Sequence, residues 1–82
     1  MIDLLYFASV RERIGKATET VETNAETVSD LVKELSEREP RYALAFSDLS
    51  SLRVAVDQEL LDFDASLEGA REVAFFPPMT GG

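Results

Sequence analysis

The groups of this chain that could do chemistry are few, and they lie at one end. The last eight residues read Phe75-Phe76-Pro77-Pro78-Met79-Thr80-Gly81-Gly82. Gly82 is read as carrying a free carboxylate on a tip without side chains. A carboxylate is a poor electrophile until one of its oxygens becomes a better leaving group. An acyl-adenylate made from ATP meets that need. A sulfur nucleophile can then displace AMP and leave a terminal thiocarboxylate. The chain has no phosphate-binding glycine loop, so a partner would have to bind the ATP.

The segment before the tip suits a probe. Pro77 and Pro78 fix φ near about −65° and donate no N–H, so sheet pairing should stop there. Six residues from Pro77 reach at most roughly 20 Å. Glycine lets a foreign backbone approach without a Cβ in the way. A frayed terminus is the plain alternative. A stiff base joined to a bare tip argues for an arm that enters a narrow site on another protein.

The rest of the composition narrows the chemistry further. The chain has no cysteine and no histidine. That removes disulfides, thiolates, the commonest general base and the commonest metal ligand. Carboxylates are plentiful, but no pair stands out. Asp62-x-Asp64 lacks the later ligands of a calcium loop, since Leu67 and Val73 stand at its sixth and twelfth positions. No metal site and no catalytic side chain are expected. A net charge of −8 repels nucleic acid and anionic lipid, and favours a partner with a basic surface. No apolar run approaches the roughly 20 residues of a membrane span, and no basic leader opens the chain. A soluble cytoplasmic protein is expected.

The elements that must position the arm can be read in order. The 82 residues form one domain, with 45% hydrophobic residues and a small core. Ile2 to Ala8 reads as a strand, with Ile2, Leu4 and Tyr6 on one face. Asp3, Leu5 and Phe7 fall on the other, and Asp3 marks that face as open. Ser9 to Gly15 is a connection with room for a helical turn, and carries Arg11 and Arg13. Thr18 to Thr23 suits a second strand.

Thr27-Val28-Ser29-Asp30 resembles a capping box, and it opens the main helix. Val28, Leu31, Val32 and Leu35 make one apolar stripe, and Pro40 ends the helix by about Glu39. Tyr42 to Phe46 suits a further short helical piece. Leu52 to Val56 is a third strand, Leu60-Leu61 a short fourth, and Glu72 to Phe76 the last. The order β, β, α, β, short β, β describes an α+β domain with one sheet face covered. The other face should expose Phe7 and one of Phe75 and Phe76. Aromatics gathered in that way mark a protein interface.

With these residues in place the chain resembles the ubiquitin-like, β-grasp sulfur carriers. Phe75 to Gly82 is similar in particular to the end of the small subunit of molybdopterin synthase. Tyr6-Phe7-Ala8-Ser9-Val10-Arg11-Glu12 and Val54-Ala55-Val56-Asp57-Gln58 extend the resemblance, which covers essentially the whole chain. Two positions and one turn depart from the pattern. Met79 stands where valine is frequent, and Asp57 where asparagine is frequent. Gly69-Ala70-Arg71-Glu72 replaces an Asp-Gly-Asp-Glu turn.

The resemblance implies a β-grasp domain over residues 1–76 and an extended, flexible Gly-Gly tail over residues 77–82. It implies a mixed sheet, packed on one main helix, whose first and last strands are adjacent and parallel. It implies that a ubiquitin-activating-like enzyme adenylates Gly82 with ATP and that a sulfur donor converts it to a thiocarboxylate. The tail, Pro77 to Gly81 with Gly82, would then enter the large subunit of a heterotetrameric synthase. There it would give sulfur to a cyclic pyranopterin phosphate to build the dithiolene. Phe7, Leu60 and Phe76 would form the partner interface, Leu60 on resemblance alone, with Arg11 as a charge contact. The chain itself would bind no cofactor and no metal.

Three alternatives stay open at this point. One is a sulfur carrier for another acceptor, such as thiamine thiazole, a transfer RNA base or a cysteine pathway. Another is a ubiquitin-like modifier joined to target lysines through Gly82. A third is a binding module with an inert tail.

Overall fold

The structure is a computed structural model that describes residues 1–78. The strands are β1 (Ile2–Tyr6), β2 (Thr18–Val21), β3 (Arg53–Val56), β4 (Glu59–Leu61) and β5 (Glu72–Phe76). The helices are α1 (Ala8–Ile14), α2 (Val28–Arg38) and α3 (Pro40–Ala45). The five strands form one mixed sheet in the order β2-β1-β5-β3-β4. Only the central pair, β1 and β5, runs parallel. A parallel pair needs a long crossover, and here everything from α1 to β4 lies between the two strands. This is the mixed sheet expected from the resemblance, with its first and last strands side by side.

Helix α2 forms where its sequence says it should. Thr27 is the N-cap and accepts a hydrogen bond from the Asp30 amide at 3.1 Å. Val28, Leu31, Val32 and Leu35 are buried. Pro40 then has two effects. It cannot continue α2, and its fixed φ suits the first turn of α3, where it sits.

The segment Ser9–Gly15 corrects the sequence reading. Ser9 to Ile14 lie in a helix of seven residues, α1, so the helical turn allowed for there is a complete helix. Its N-cap is Phe7, which makes no side-chain cap, so the usual start signal is missing. Burial of Val10 and Ile14 holds it instead. Gly15, at φ 88°, ends it with its amide on the Arg11 carbonyl at 2.8 Å. The first strand is also shorter than Ile2 to Ala8. It stops at Tyr6 because the chain turns sharply at Ala8, whose φ is 51°. Likewise β2 stops at Val21, before Thr23.

The core lies between one sheet face and the three helices. Leu4, Tyr6, Val54, Val73 and Phe75 on the sheet meet Val10, Ile14, Leu31, Leu35 and Tyr42 on the helices. Phe75 stacks on Tyr6 with ring centroids 6.0 Å apart. Phe46 meets the Phe75 ring edge-on at 4.9 Å. These contacts fix β5, the strand that leads into the tail.

Candidate functional site: the open sheet face and the root of the tail

Strand alternation divides the adjacent residues Phe75 and Phe76. Phe75 is fully buried, and Phe76 is half-buried on the opposite face. The parallel register pairs Tyr6 with Phe75, so Phe7 follows beside Phe76. The Phe7 amide donates to the Phe75 carbonyl at 3.1 Å and carries the pairing one residue beyond β1. Phe7 is 49% exposed.

Leu60 lies on the edge strand β4 and is 64% exposed. Register places it on the same face. Leu60 pairs with Ala55, Ala55 with Ala74, and Ala74 with Leu5. One row of apolar side chains therefore crosses four strands. Phe76 and Phe7 form the next row towards the tail. The three residues expected at the interface thus share one surface, although Phe76 is half-buried and not fully exposed. It is flanked by Phe7, one residue beyond β1, and by Arg53 on β3.

Arg11 is exposed on α1, one helical turn beyond Phe7, and its amide lies 3.4 Å from the Phe7 carbonyl. Pro77 and Pro78 are half-buried and follow directly on β5. Met79, Thr80, Gly81 and Gly82 lie outside the described residues. The sequence reading of the interface omitted Ala55, Ala74 and Arg53. Alternation within β3 and β5 was available as a signal. Which residues face each other across strands was not.

The face depends on a turn that carries one of the sequence departures. Asp57 and Gln58 join β3 to β4 with φ of 50° and 69°, as in a two-residue type I′ hairpin. Aspartate tolerates this left-handed conformation better than most residues, as asparagine does. Its Oδ1 also accepts the amides of Arg71 and Glu72 at 2.9 and 3.0 Å. The turn at Gly69, with φ 73°, brings Arg71 into reach.

Behind the core face is a polar cluster that no motif or periodicity announces. Tyr6 and Tyr42 both donate to Oε2 of Glu19, at 2.8 and 2.6 Å. Lys16 donates to Oε1 at 3.3 Å. Burial alone would push the Glu19 carboxyl up. The hydrogen bonds from Tyr42, Tyr6 and Lys16 together outweigh it and hold the group below the ordinary carboxylate range. Burial, then the bond to Glu19, pushes the Tyr42 hydroxyl up to about 12 and the Tyr6 hydroxyl well above its ordinary value. Both therefore stay protonated and act as donors. The cluster joins β1, β2 and α3 on the core side of the sheet, with Lys16 exposed at its rim. Its role is to anchor α3 to the sheet.

Among the described residues no group of acidic, histidine or cysteine side chains is arranged to hold a metal. No helix among them is long and apolar enough to cross a membrane. What the arrangement offers is an apolar surface of Phe7, Leu60 and Phe76 beside Pro77 and Pro78, at the end of β5.

Comparison with known proteins agrees in sequence and fold. The chain is 44% identical over 82 residues to a molybdopterin synthase sulfur carrier subunit of Escherichia coli, with 100% of both chains covered. It is 34% identical over 82 residues to the protein of the same name in Haemophilus influenzae, again covering 100% of both. The fold matches that of SAMP1 from Haloferax volcanii with a TM-score of 0.76 at 24% identity, over 99% of this chain and 98% of that one. The model of the ThiS family matches residues 4–82, from the first strand through Gly82, and the chain belongs to that family.

Proposed function

We propose that this chain is the sulfur carrier subunit of a molybdopterin synthase. The observation that carries the reading is the full-length match to a sulfur carrier subunit at 44% identity, with no part of either chain left over. The geometry supports it. The shared Phe7–Phe76 surface lies where the arm begins, so docking on that surface aims the arm at the partner.

The chemistry follows from what the chain has and lacks. It has no thiol or imidazole with which to hold or activate sulfur. The reactive group is the Gly82 carboxyl. A partner enzyme that binds ATP forms the acyl-adenylate there with release of pyrophosphate. A sulfur nucleophile from a donor displaces AMP and leaves the thiocarboxylate. The arm then enters the large subunit, where the thiocarboxylate sulfur bonds to a side-chain carbon of a cyclic pyranopterin phosphate, the oxygen substituent on that carbon leaves, and Gly82 stays joined to the sulfur as an acyl thioester. Water finally releases Gly82 as carboxylate. A dithiolene holds two sulfurs, so each product needs two such deliveries. The subunit belongs to the enzyme, but acid–base groups come from the large subunit. The chain itself binds neither ATP nor metal.

Reconstitution with the adenylating enzyme, the sulfur donor and the large subunit tests this. The wild-type chain should be adenylated at Gly82 and support dithiolene formation. A chain with one residue appended after Gly82 should do neither, because its acyl carbon is displaced by roughly 3.5 Å. Normal sulfur transfer by the extended chain would overturn the reading.

A further inference from the structure

The open face is ordered along its strands as well as across them. At the end away from the tail, Asp3 and Glu72 lie side by side on parallel strands. Thr20 flanks Asp3 and donates to its Oδ1 at 2.8 Å. The apolar row of Leu60, Ala55, Ala74 and Leu5 comes next. The row at the tail holds Arg53, Phe76 and Phe7. A strand rises about 3.3 Å per residue, so the acidic row and the arginine row are roughly 13 Å apart. The face therefore reads acidic, apolar, then aromatic with a cation.

These charges are not used up within the domain. The ion pairs among the described residues join Lys16 to Glu19, Arg38 to Glu34 and Arg41 to Glu39. Arg53, Asp3 and Glu72 take part in none of them, and neither does Arg71 beside Glu72. Two carboxylates in register across a strand pair repel, and a cation placed over them would relieve that. Arg53 is held in place all the same. Its Nη1 donates to the Leu52 carbonyl at 2.8 Å and lies 3.5 Å from that of Ser50. Backbone carbonyls thus orient the guanidinium, and no bond from Nε or Nη2 is found among the described residues. A planar guanidinium oriented in this way is suited to receive a carboxylate.

Building on the docking surface proposed above, we infer that this face is polarised, with the large synthase subunit as its occupant. That subunit presents a carboxylate over Arg53 and a lysine or arginine over Asp3 and Glu72. The apolar row supplies area and little direction. The two charged ends supply direction, because a partner turned end for end would set like charges against each other. The allowed placement puts the partner's acidic group beside Phe76, where the arm departs. Arg53 is thus a positioning residue: it acts on the aim of the arm and not on the sulfur chemistry.

The test is the affinity of the purified large subunit for four variants, at low and high ionic strength, with circular dichroism to confirm folding. Arg53→Glu should weaken binding by roughly fivefold or more at low salt, with most of the difference lost at high salt. Arg53→Lys keeps the charge but not the planar fork, so it should bind more tightly than Arg53→Glu and less tightly than the wild type. Neutralising the far end with Asp3→Asn plus Glu72→Gln should weaken binding in the same salt-dependent way. Phe76→Ala serves as the reference for the apolar surface and should weaken binding at both salt concentrations. If Phe76→Ala weakens binding while Arg53→Glu binds as the wild type does at low salt, the polarity inference is wrong and the docking surface stands. If both bind as the wild type does, the docking surface itself is wrong.

Discussion

The carboxylate of Asp57 accepts the backbone N–H of Glu72 at 3.0 Å, which ties the β3–β4 turn to the first residue of the tail-bearing strand. The same oxygen takes the Arg71 amide at 2.9 Å. Removing it leaves two amides dependent on water and forces another side chain into the left-handed region. Asp57→Ala should therefore destabilise the domain by about 1–2 kcal/mol. Asp57→Asn keeps an acceptor and the same backbone tolerance, so it should cost less than half as much. Urea unfolding of the two variants checks this. Equal losses would show that charge, and not the acceptor, secures the strand.

Phe75 and Phe76 are neighbours on opposite faces of the sheet, and alanine should separate them. Phe75→Ala opens a cavity among Tyr6, Phe46 and Phe63. The expected loss is about 3–5 kcal/mol, a large share of the total for a domain of this size. Phe76→Ala should leave the domain folded and weaken partner binding by about tenfold or more. Thermal unfolding and a binding titration on both variants decide it. A folded Phe75→Ala with a normal melting temperature would contradict the assignment of faces.

How much was legible in the sequence follows from this pair. Alternation alone assigned the faces of β1, and the prolines marked the end of β5. The cap at Thr27 and the stripe to Leu35 marked α2. What stayed hidden depends on distant partners. Helix α1 opens on Phe7 without a capping side chain, so no local signal announced it. Nothing near Ala8 signals a positive φ. Tyr6 and Tyr42 reach Glu19 across 13 and 23 residues, and Asp57 reaches Glu72 across 15. The row from Leu60 to Leu5 needs the register of four strands, which periodicity cannot supply. The arm is a reading of composition alone, because Met79 to Gly82 lie outside the described residues.

The Glu19 cluster should set part of the acid stability. A carboxyl whose folded pKa lies below its unfolded value contributes stability above the unfolded value. That contribution is lost as pH falls through the folded value. Wild type should therefore lose stability progressively below the ordinary carboxylate range. Glu19→Ala should remove that part of the acid dependence. It should also cost about 2–4 kcal/mol at neutral pH, because two tyrosine hydroxyls lose their acceptor. Unfolding curves across the acidic range check both points. An unchanged pH profile in Glu19→Ala would sink the prediction.

Substitution within the arm should separate folding from delivery. Gly81→Ala adds a methyl where a narrow passage is proposed. It should leave the melting temperature unchanged, because the arm lies beyond β5. Sulfur transfer to the large subunit should fall at least tenfold, on the reasoning that reacting atoms tolerate only small misplacement. A single-turnover assay with preformed thiocarboxylate measures this. A wild-type rate would remove the close-fitting passage from the proposal.

Whether Gly82 carries sulfur is answered most directly by the intact mass of the protein from its native cell, together with the mass of its C-terminal peptide. A fraction of molecules should be heavier by the difference between one sulfur and one oxygen, with the gain confined to Gly82. That fraction should vanish when the adenylating enzyme is deleted. If the cell makes the dithiolene cofactor through this chain while Gly82 is never found as a thiocarboxylate, even with turnover blocked by loss of the large subunit, then Gly82 is not the sulfur carrier.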